Sequence, residues 1–468
     1  MIKSCNVLSA AALLALSPLP SLAADQSASV WLTKSDRSAL FAPQPAALPF
    51  IDTNQAAGPA IVVDERQAFQ TMDGFGFALT GGSAMHIIRM DPAVRAALLK
   101  ELFATDSTNI GVSYLRVSIG ASDLNERVFT YDDLPPGQTD PDLSRFSLAP
   151  DRADVIPVLK QILAINPKIK ILGSPWSAPV WMKTVPAAKG GRLKPECYDA
   201  YARFFVKYLQ GMSAEGIRID ALTVQNEPLN AGNTPSMQMS ADEQAVFIKR
   251  HLGPALTAAK LDTKIILFDH NCDRPDYPLA ILRDPEASSY VDGSGFHHYA
   301  GKLDAMTRVH EAFPAKNLYF TEQMVIERRP GPTLDIANPV ARLIVGAPRN
   351  WSRNVLLWNL AADQNNEPHT GDGGCGICQG AITINKNRVS RNLAYYVVAH
   401  ASKFVRPGSV RVASNFLETL PNVAFRTAQS TVLVVANRGK EPQAFSVQSR
   451  GKAFPAILGA GDVATYIW

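Results

Sequence analysis

Leu222-Thr223-Val224-Gln225-Asn226-Glu227-Pro228 and Leu318-Tyr319-Phe320-Thr321-Glu322-Gln323 decide how this chain is read. Each is a short apolar run that closes on an acid. An acid at the exit of a buried strand is costly unless it is paired, hydrated or working. Two such exits, far apart in the chain, point to two carboxylates carried to one mouth by a repeating strand–helix fold.

Working outward, apolar runs alternate with helical patterns from Val62 to Asn359. That alternation predicts parallel strands joined by crossover helices. Eight strands are expected, at 70–77, 112–118, 170–174, 221–225, 264–268, 294–299, 318–321 and 354–359. Asp91-Pro92 reads as a cap followed by proline at the first helical position. Ser240 opens another helix. The stripe Tyr201, Phe204, Phe205 and Tyr208 reads as core packing. The fold class is therefore α/β, a (β/α)8 TIM barrel. An open doubly wound sheet is the alternative, but Gly74-Phe75-Gly76 has the wrong spacing for a dinucleotide loop.

After Val405 the pattern becomes short, alternating and turn-bounded, at 409–413, 423–427, 431–437, 444–448 and 463–468. These read as antiparallel strands. Residues 29–32 and 60–63 would supply further strands, so both chain ends are expected in one β-sandwich on the side of the barrel. The expected domains are 1–24 a signal peptide, 25–65 N-terminal sandwich strands, 66–400 the catalytic barrel and 401–468 the C-terminal sandwich.

The signal rests on Lys3, an apolar core at 7–16 and the small-x-small site Ser21-Leu22-Ala23. The core is too short to span a bilayer comfortably, and Pro18 and Pro20 interrupt it. The mature chain is thus expected to be exported, periplasmic or extracellular, without a transmembrane segment. Of 468 residues, 46% are hydrophobic and 19% charged, as in ordinary globular proteins. A net charge of +4 gives no support for a nucleic-acid partner. Cys375-Gly376-Ile377-Cys378 reads as a local disulfide or two free thiols rather than a metal site, because a second ligand pair is lacking.

Catalytic residues of such barrels sit at the carboxyl ends of the strands. The strand ends here carry Asp123, Ser174-Pro175-Trp176-Ser177, Asn226-Glu227, Asp269-His270-Asn271, His297-His298-Tyr299, Glu322 and Trp358-Asn359. Acids, amides, a phenol and indoles at one mouth suit a sugar: polar groups bind hydroxyls and aromatic faces cover the ring. Taken singly, Asn-Glu-Pro commonly opens a helix and a tryptophan is commonly core. Their joint placement on strands four and seven is what singles out Glu227 and Glu322. His297 is expected to orient a neighbour or cap a strand. Two other classes compete. One is a non-catalytic sugar-binding protein, which has no use for the glutamate pair. The other is a metal-dependent hydrolase using His270, His297, His298 and Asp269.

Several motifs together resemble glycoside hydrolase family 30, on the branch containing glucosylceramidase. They are Asp73-Gly74-Phe75-Gly76, Leu115-Arg116-Val117, the segment Ser174-Pro175-Trp176-Ser177-Ala178-Pro179-Val180-Trp181-Met182-Lys183-Thr184, Asn226-Glu227-Pro228, His298-Tyr299, Thr321-Glu322, Trp358-Asn359-Leu360 and Ala401-Ser402-Lys403-Phe404. The resemblance runs from Val30 to Trp468. It implies Glu227 as acid/base, Glu322 as nucleophile and Asn226 on the sugar 2-hydroxyl. Asp123, Trp176, Tyr299 and Trp358 would line the glucose pocket. It implies a β-glucoside substrate, glycolipid or oligosaccharide, and no cofactor or metal. Glucosylceramidase-type β-glucosidase ranks first, endo-β-1,6-glucanase second, β-xylosidase or β-fucosidase third. Phe77-Ala78 and Gln323-Met324 depart from the glucosylceramidase pattern, and the insert 363–378 looks more like bacterial members. The chemistry expected is double displacement with carboxyls roughly 5–5.5 Å apart. Glu227 should be the higher-pKa partner, raised by burial and by the charge of Glu322.

Overall fold

The computed structural model describes residues 27–327 and 331–468. The expected signal segment, with Cys5, lies outside the described residues. Eight parallel strands close into a barrel: β1 Gly74–Leu79, β2 Tyr114–Ile119, β3 Lys170–Pro175, β4 Ala221–Thr223, β5 Lys264–Cys272, β6 Val291–Gly301, β7 Asn317–Glu322 and β8 Ser352–Asn359. All eight fall where the alternation of the sequence predicts them. Closure is made by β8 pairing with β1, where Asn354 stands opposite Gly74. There Arg353 grips Asp73 with two nitrogens, at 3.0 and 3.1 Å, which explains the aspartate that opens the first motif. Gly76 follows because any Cβ would collide with the Tyr114 carbonyl of β2.

Side chains two residues apart on a strand share a face, so the barrel fills in layers. Tyr114, Leu172, Ala221, Ile266, Tyr319 and Leu356 form one buried apolar layer. Outside the barrel the main core packs strands against helices. The stripe on the helix Tyr198–Ala214 belongs to it, with Tyr201, Phe204, Phe205 and Tyr208 all buried and Tyr208 stacked on Tyr131 at 5.6 Å. The helix Ala241–Phe247 begins with a full capping box between Ser240 and Glu243.

Both chain ends meet in a second, separate core. Strand Ser27–Thr33 pairs antiparallel with Val463–Ile467. Strand Ala60–Thr71 pairs with Val410–Ser414 and with Gln443–Ser449. It runs well beyond the expected 60–63, because its second half pairs with Val410–Ser414 before the chain enters the barrel. Strand Lys452–Leu458 escapes the sequence reading. Pro455 within it signals a break, yet proline is tolerated near a sheet edge. The strand is a partner of Gln443–Ser449 and of the two-residue strand Ile51–Asp52. The sandwich docks through buried His400, whose ring nitrogens meet Thr465 Oγ1 at 2.9 Å and Thr33 Oγ1 at 2.8 Å.

Cys375 and Cys378 form the local disulfide. Cys197 and Cys272 are free and buried. Among the described residues no helix is long and apolar enough to cross a membrane.

Candidate active site

One step up from the apolar layer, the same inward faces turn polar. Tyr114 is followed by Arg116, Leu172 by Ser174, Ala221 by Thr223, Tyr319 by Thr321 and Leu356 by Trp358. Arg116 is wholly buried and is the hub. One guanidinium nitrogen donates to Glu322 Oε2 at 2.5 Å. Another donates to Asn226 Oδ1 at 2.7 Å, Asp269 Oδ2 at 2.8 Å and Ser174 Oγ at 3.1 Å. A buried arginine is tolerable only with partners of this kind.

Asp269 reaches the interior through a local irregularity. The register between β5 and β6 slips between Phe268 and His270, and Phe268 and Asp269 have positive φ of 74° and 64°. Without that bulge strict alternation would aim Phe268 inward; with it, the acid points in. Asp269 then accepts hydroxyl hydrogen bonds from Ser174, Thr223 and Thr321. Its carbonyl accepts the Glu227 N–H at 3.0 Å, holding Glu227 in its own left-handed conformation, φ 44°. Strain of this kind is retained at working sites when the surroundings over-determine it.

His297, also wholly buried, bridges the set. Its Nε2 meets Asp269 Oδ1 at 3.0 Å and its Nδ1 meets Glu227 Oε1 at 3.1 Å. Glu322 Oε1 lies 3.6 Å from the same Nδ1 and accepts from the Tyr299 hydroxyl at 3.0 Å. Asn230 donates to Glu227 Oε2 at 2.7 Å. One oxygen of each glutamate and a nitrogen of His297 all lie within 4.8 Å of one another.

The electrostatics differ from expectation. Burial alone would lower the His297 pKa, but the charges of Glu322 and Asp269 and its hydrogen bonds to Asp269 and Glu227 push it up to about 10. Burial would likewise raise Glu227, yet the His297 hydrogen bond and charge pull it down to about 2. Glu322 moves up: burial, Glu227 and Asp269 together outweigh His297 and Arg116. The order of the two glutamates is thus the reverse of the sequence expectation. The cause is His297, which presses its proton against Glu227 more closely than against Glu322.

Beside the carboxylates lies a cavity of about 450 Å³. Both glutamates and all five residues expected to bind substrate line it: Asp123, Trp176, Asn226, Glu227, Tyr299, Glu322 and Trp358. The rings of Trp176 and Trp358 stack at 5.4 Å, and the Arg116 guanidinium sits over Trp176 at 4.8 Å. Asp123 Oδ1 and Trp176 Nε1 are buried without a hydrogen-bond partner among the described residues. Burial and the charge of Glu322 push Asp123 up to about 7. The disulfide closes one wall with Met324, whose sulfur lies 3.5 Å from Cys378 Sγ.

The four residues of the metal-hydrolase alternative do not converge. His298 lines a different cavity, both nitrogens of His297 are engaged by carboxylates, and Arg116 already supplies the cation beside Asp269. The sequence reading missed Asn230 and gave neither Arg116 nor Asp269 its part in this network. Arg116 was visible only as the polar centre of Leu115-Arg116-Val117. An arginine inside an apolar strand is itself the signal, since such a residue must be paired.

Comparison with known proteins agrees with this architecture. Residues 72–405 match the glycosyl hydrolase family 30 TIM-barrel domain, and residues 408–466 match the glycosyl hydrolase family 30 beta sandwich domain. An endo-1,6-beta-D-glucanase of Neurospora crassa is 36% identical over 418 residues, 85% of this chain and 85% of that protein. The lysosomal acid glucosylceramidase of Mus musculus is 29% identical over 448 residues, 88% of this chain and 84% of that protein. The solved endo-beta1,6-glucanase BT3312 superposes with a TM-score of 0.87 at 33% identity, covering 95% of this chain and 99% of its own. The protein belongs to glycoside hydrolase family 30.

Proposed function

We propose that this protein is an exported, retaining β-glucoside hydrolase that cleaves β-1,6-glucan internally. One observation carries the β-glucoside reading. Two buried, unpartnered polar atoms, Asp123 Oδ1 and Trp176 Nε1, face a cavity that also holds two carboxylates within 4.8 Å of His297 and each other. Buried polar atoms are rarely left unmatched, and sugar hydroxyls would match these. The β-1,6 linkage is favoured over ceramide glucoside because the endo-1,6-beta-glucanases match at 33–36% identity against 29% for the mouse glucosylceramidase. This reverses the ranking drawn from motifs alone.

In the reading proposed, hydrogen bonds from Arg116 and Tyr299 hold Glu322 aimed at the anomeric carbon, and it attacks in its ionised form. Asn226, whose Oδ1 is taken by Arg116, has its Nδ2 left to donate to the sugar 2-hydroxyl. Glu227 delivers a proton to the leaving oxygen as Glu322 bonds to the anomeric carbon. That proton stands one hydrogen bond away, on His297 Nδ1. His297 and Glu227 thus hold one proton between them, and double displacement proceeds when Glu322 holds none. Water then enters with Glu227 as base, and the β configuration is kept.

A product profile on β-1,6-glucan, gentiobiose and glucosylceramide tests the linkage. Internal cleavage of the glucan, releasing short oligosaccharides, is expected; turnover of glucosylceramide alone would refute it. Glu227→Ala should spare dinitrophenyl β-glucoside, whose leaving group needs no proton, and lose alkyl glucosides. For export, the full chain expressed in a bacterial host should lose residues 1–24 and leave the cytoplasm; retention with an intact N-terminus would contradict it.

A further inference from the structure

A second cavity, about 820 Å³, lies between the barrel mouth and the sandwich. It adjoins the catalytic cavity, and Tyr299 and Met324 line both. Its volume falls in the upper part of the ~300–1,000 Å³ typical of ligand sites. The family comparisons assign it nothing.

Its lining offers the aromatic and polar groups that a saccharide track uses. Large apolar side chains at the protein surface are few, yet two of them stand at this cavity: Tyr299, 42% exposed, and Phe416, 54% exposed. Phe416 comes from the sandwich and is backed by the Arg349 guanidinium at 5.2 Å, which holds the ring presented to solvent. Exposed aromatic faces of this kind cover the apolar faces of sugar rings. Between them the wall mixes apolar residues such as Val325, Ile326 and Leu393 with polar ones. Gln323 and His298 both line the cavity; Gln323 is 5% exposed, and its Oε1 and His298 Nδ1 are buried without a hydrogen-bond partner among the described residues. Opposite, Arg438 of the sandwich donates to Asn338 Oδ1 at 3.1 Å, so both are pre-set at the rim. Acceptors, donors and two aromatic platforms in a groove open to water suit a hydroxyl-rich chain.

We propose that this interdomain cavity binds further glucosyl units of the same glucan chain, running on from the catalytic cavity across Tyr299 and Met324. The sandwich is then part of the substrate-binding surface, through Phe416 and Arg438, and not only a support for the barrel. This deepens the β-1,6-glucan reading and rests on it.

The test is kcat/KM on β-1,6-linked gluco-oligosaccharides from trisaccharide to hexasaccharide, for wild type, Phe416→Ala and Arg438→Ala. Phe416 is exposed, so its truncation leaves no hole in a core. Wild type should gain at least about tenfold between trisaccharide and hexasaccharide. Each variant should lose about fivefold on the hexasaccharide and nothing on the trisaccharide, as expected for one aromatic or polar contact. If wild type cleaves both lengths equally well, or if neither variant separates the two lengths, this inference falls while the β-1,6-glucan reading stands. If wild type cleaves none of the series, that reading falls and this one with it.

Discussion

The two layers inside the barrel come from the same strands and differ by two residues, or by three across the bulge of β5, yet they do opposite work. The lower layer, Tyr114, Leu172, Ala221, Ile266, Tyr319 and Leu356, is apolar and closed. The upper one replaces it with Arg116, Ser174, Thr223, Asp269, Thr321 and Trp358, nearly all joined by hydrogen bonds. Apolar burial in the lower layer favours folding without specifying any chemistry. The upper layer buries charges that cost desolvation energy and repays it only because each is matched. A site of this kind needs a stable floor beneath it, and the barrel's pleat, with one bulge in β5, provides both.

Substitutions should separate the layers. Glu322→Ala should cut turnover by about 10⁴-fold or more, and azide should restore part of the activity as an α-glycosyl azide. Asp269→Asn should strike both properties. It leaves Arg116 and His297 short of one negative charge, and a loss of about 3–5 kcal/mol in denaturant unfolding is expected with most of the activity. His297→Gln should lower kcat by about 10²-fold or more. It should also move the alkaline limb of the pH–rate profile downward, because Glu227 would then hold the proton without a partner whose pKa is pushed up to about 10. The acid limb reports Glu322, whose pKa is raised by burial and by the charges of Glu227 and Asp269, so the rise of activity with pH should be displaced upward from that of an ordinary glutamate. An unmoved alkaline limb in His297→Gln would remove His297 from the proton relay. In the lower layer, Leu172→Ala should cost about 2–5 kcal/mol of stability and leave kcat at moderate temperature nearly intact.

The smallest effect belongs to the join between barrel and sandwich. Burial lowers His400 to about 3, so it is neutral in the folded protein. An unfolded histidine titrates near 6.5. Its contribution is therefore complete above about pH 6.5 and is lost as pH falls from there toward 3. Thermal unfolding across that range should show the decline, and His400→Gln should flatten part of it.

Much of this was legible in the sequence, and the limit is physical. All eight barrel strands announce themselves by apolar runs, and both glutamates by ending such runs. The glucose-pocket residues came through the family resemblance, and all of them line one cavity. What could not be read depends on register between distant strands. Nothing near Phe268 says that a bulge will turn Asp269 inward. Nothing near Glu227 says that a histidine seventy positions on will press against it, and the inverted order of the two glutamates follows from that contact. The strand Lys452–Leu458 was hidden by Pro455, a local signal overruled by its place near a sheet edge.

The central claim is that Glu227 and Glu322 act on one glycosidic bond from opposite roles. Proton NMR during the first minutes of gluco-oligosaccharide hydrolysis tests it most directly. The account predicts that the newly formed reducing end appears first as the β anomer and only later mutarotates; first appearance of the α anomer would contradict it.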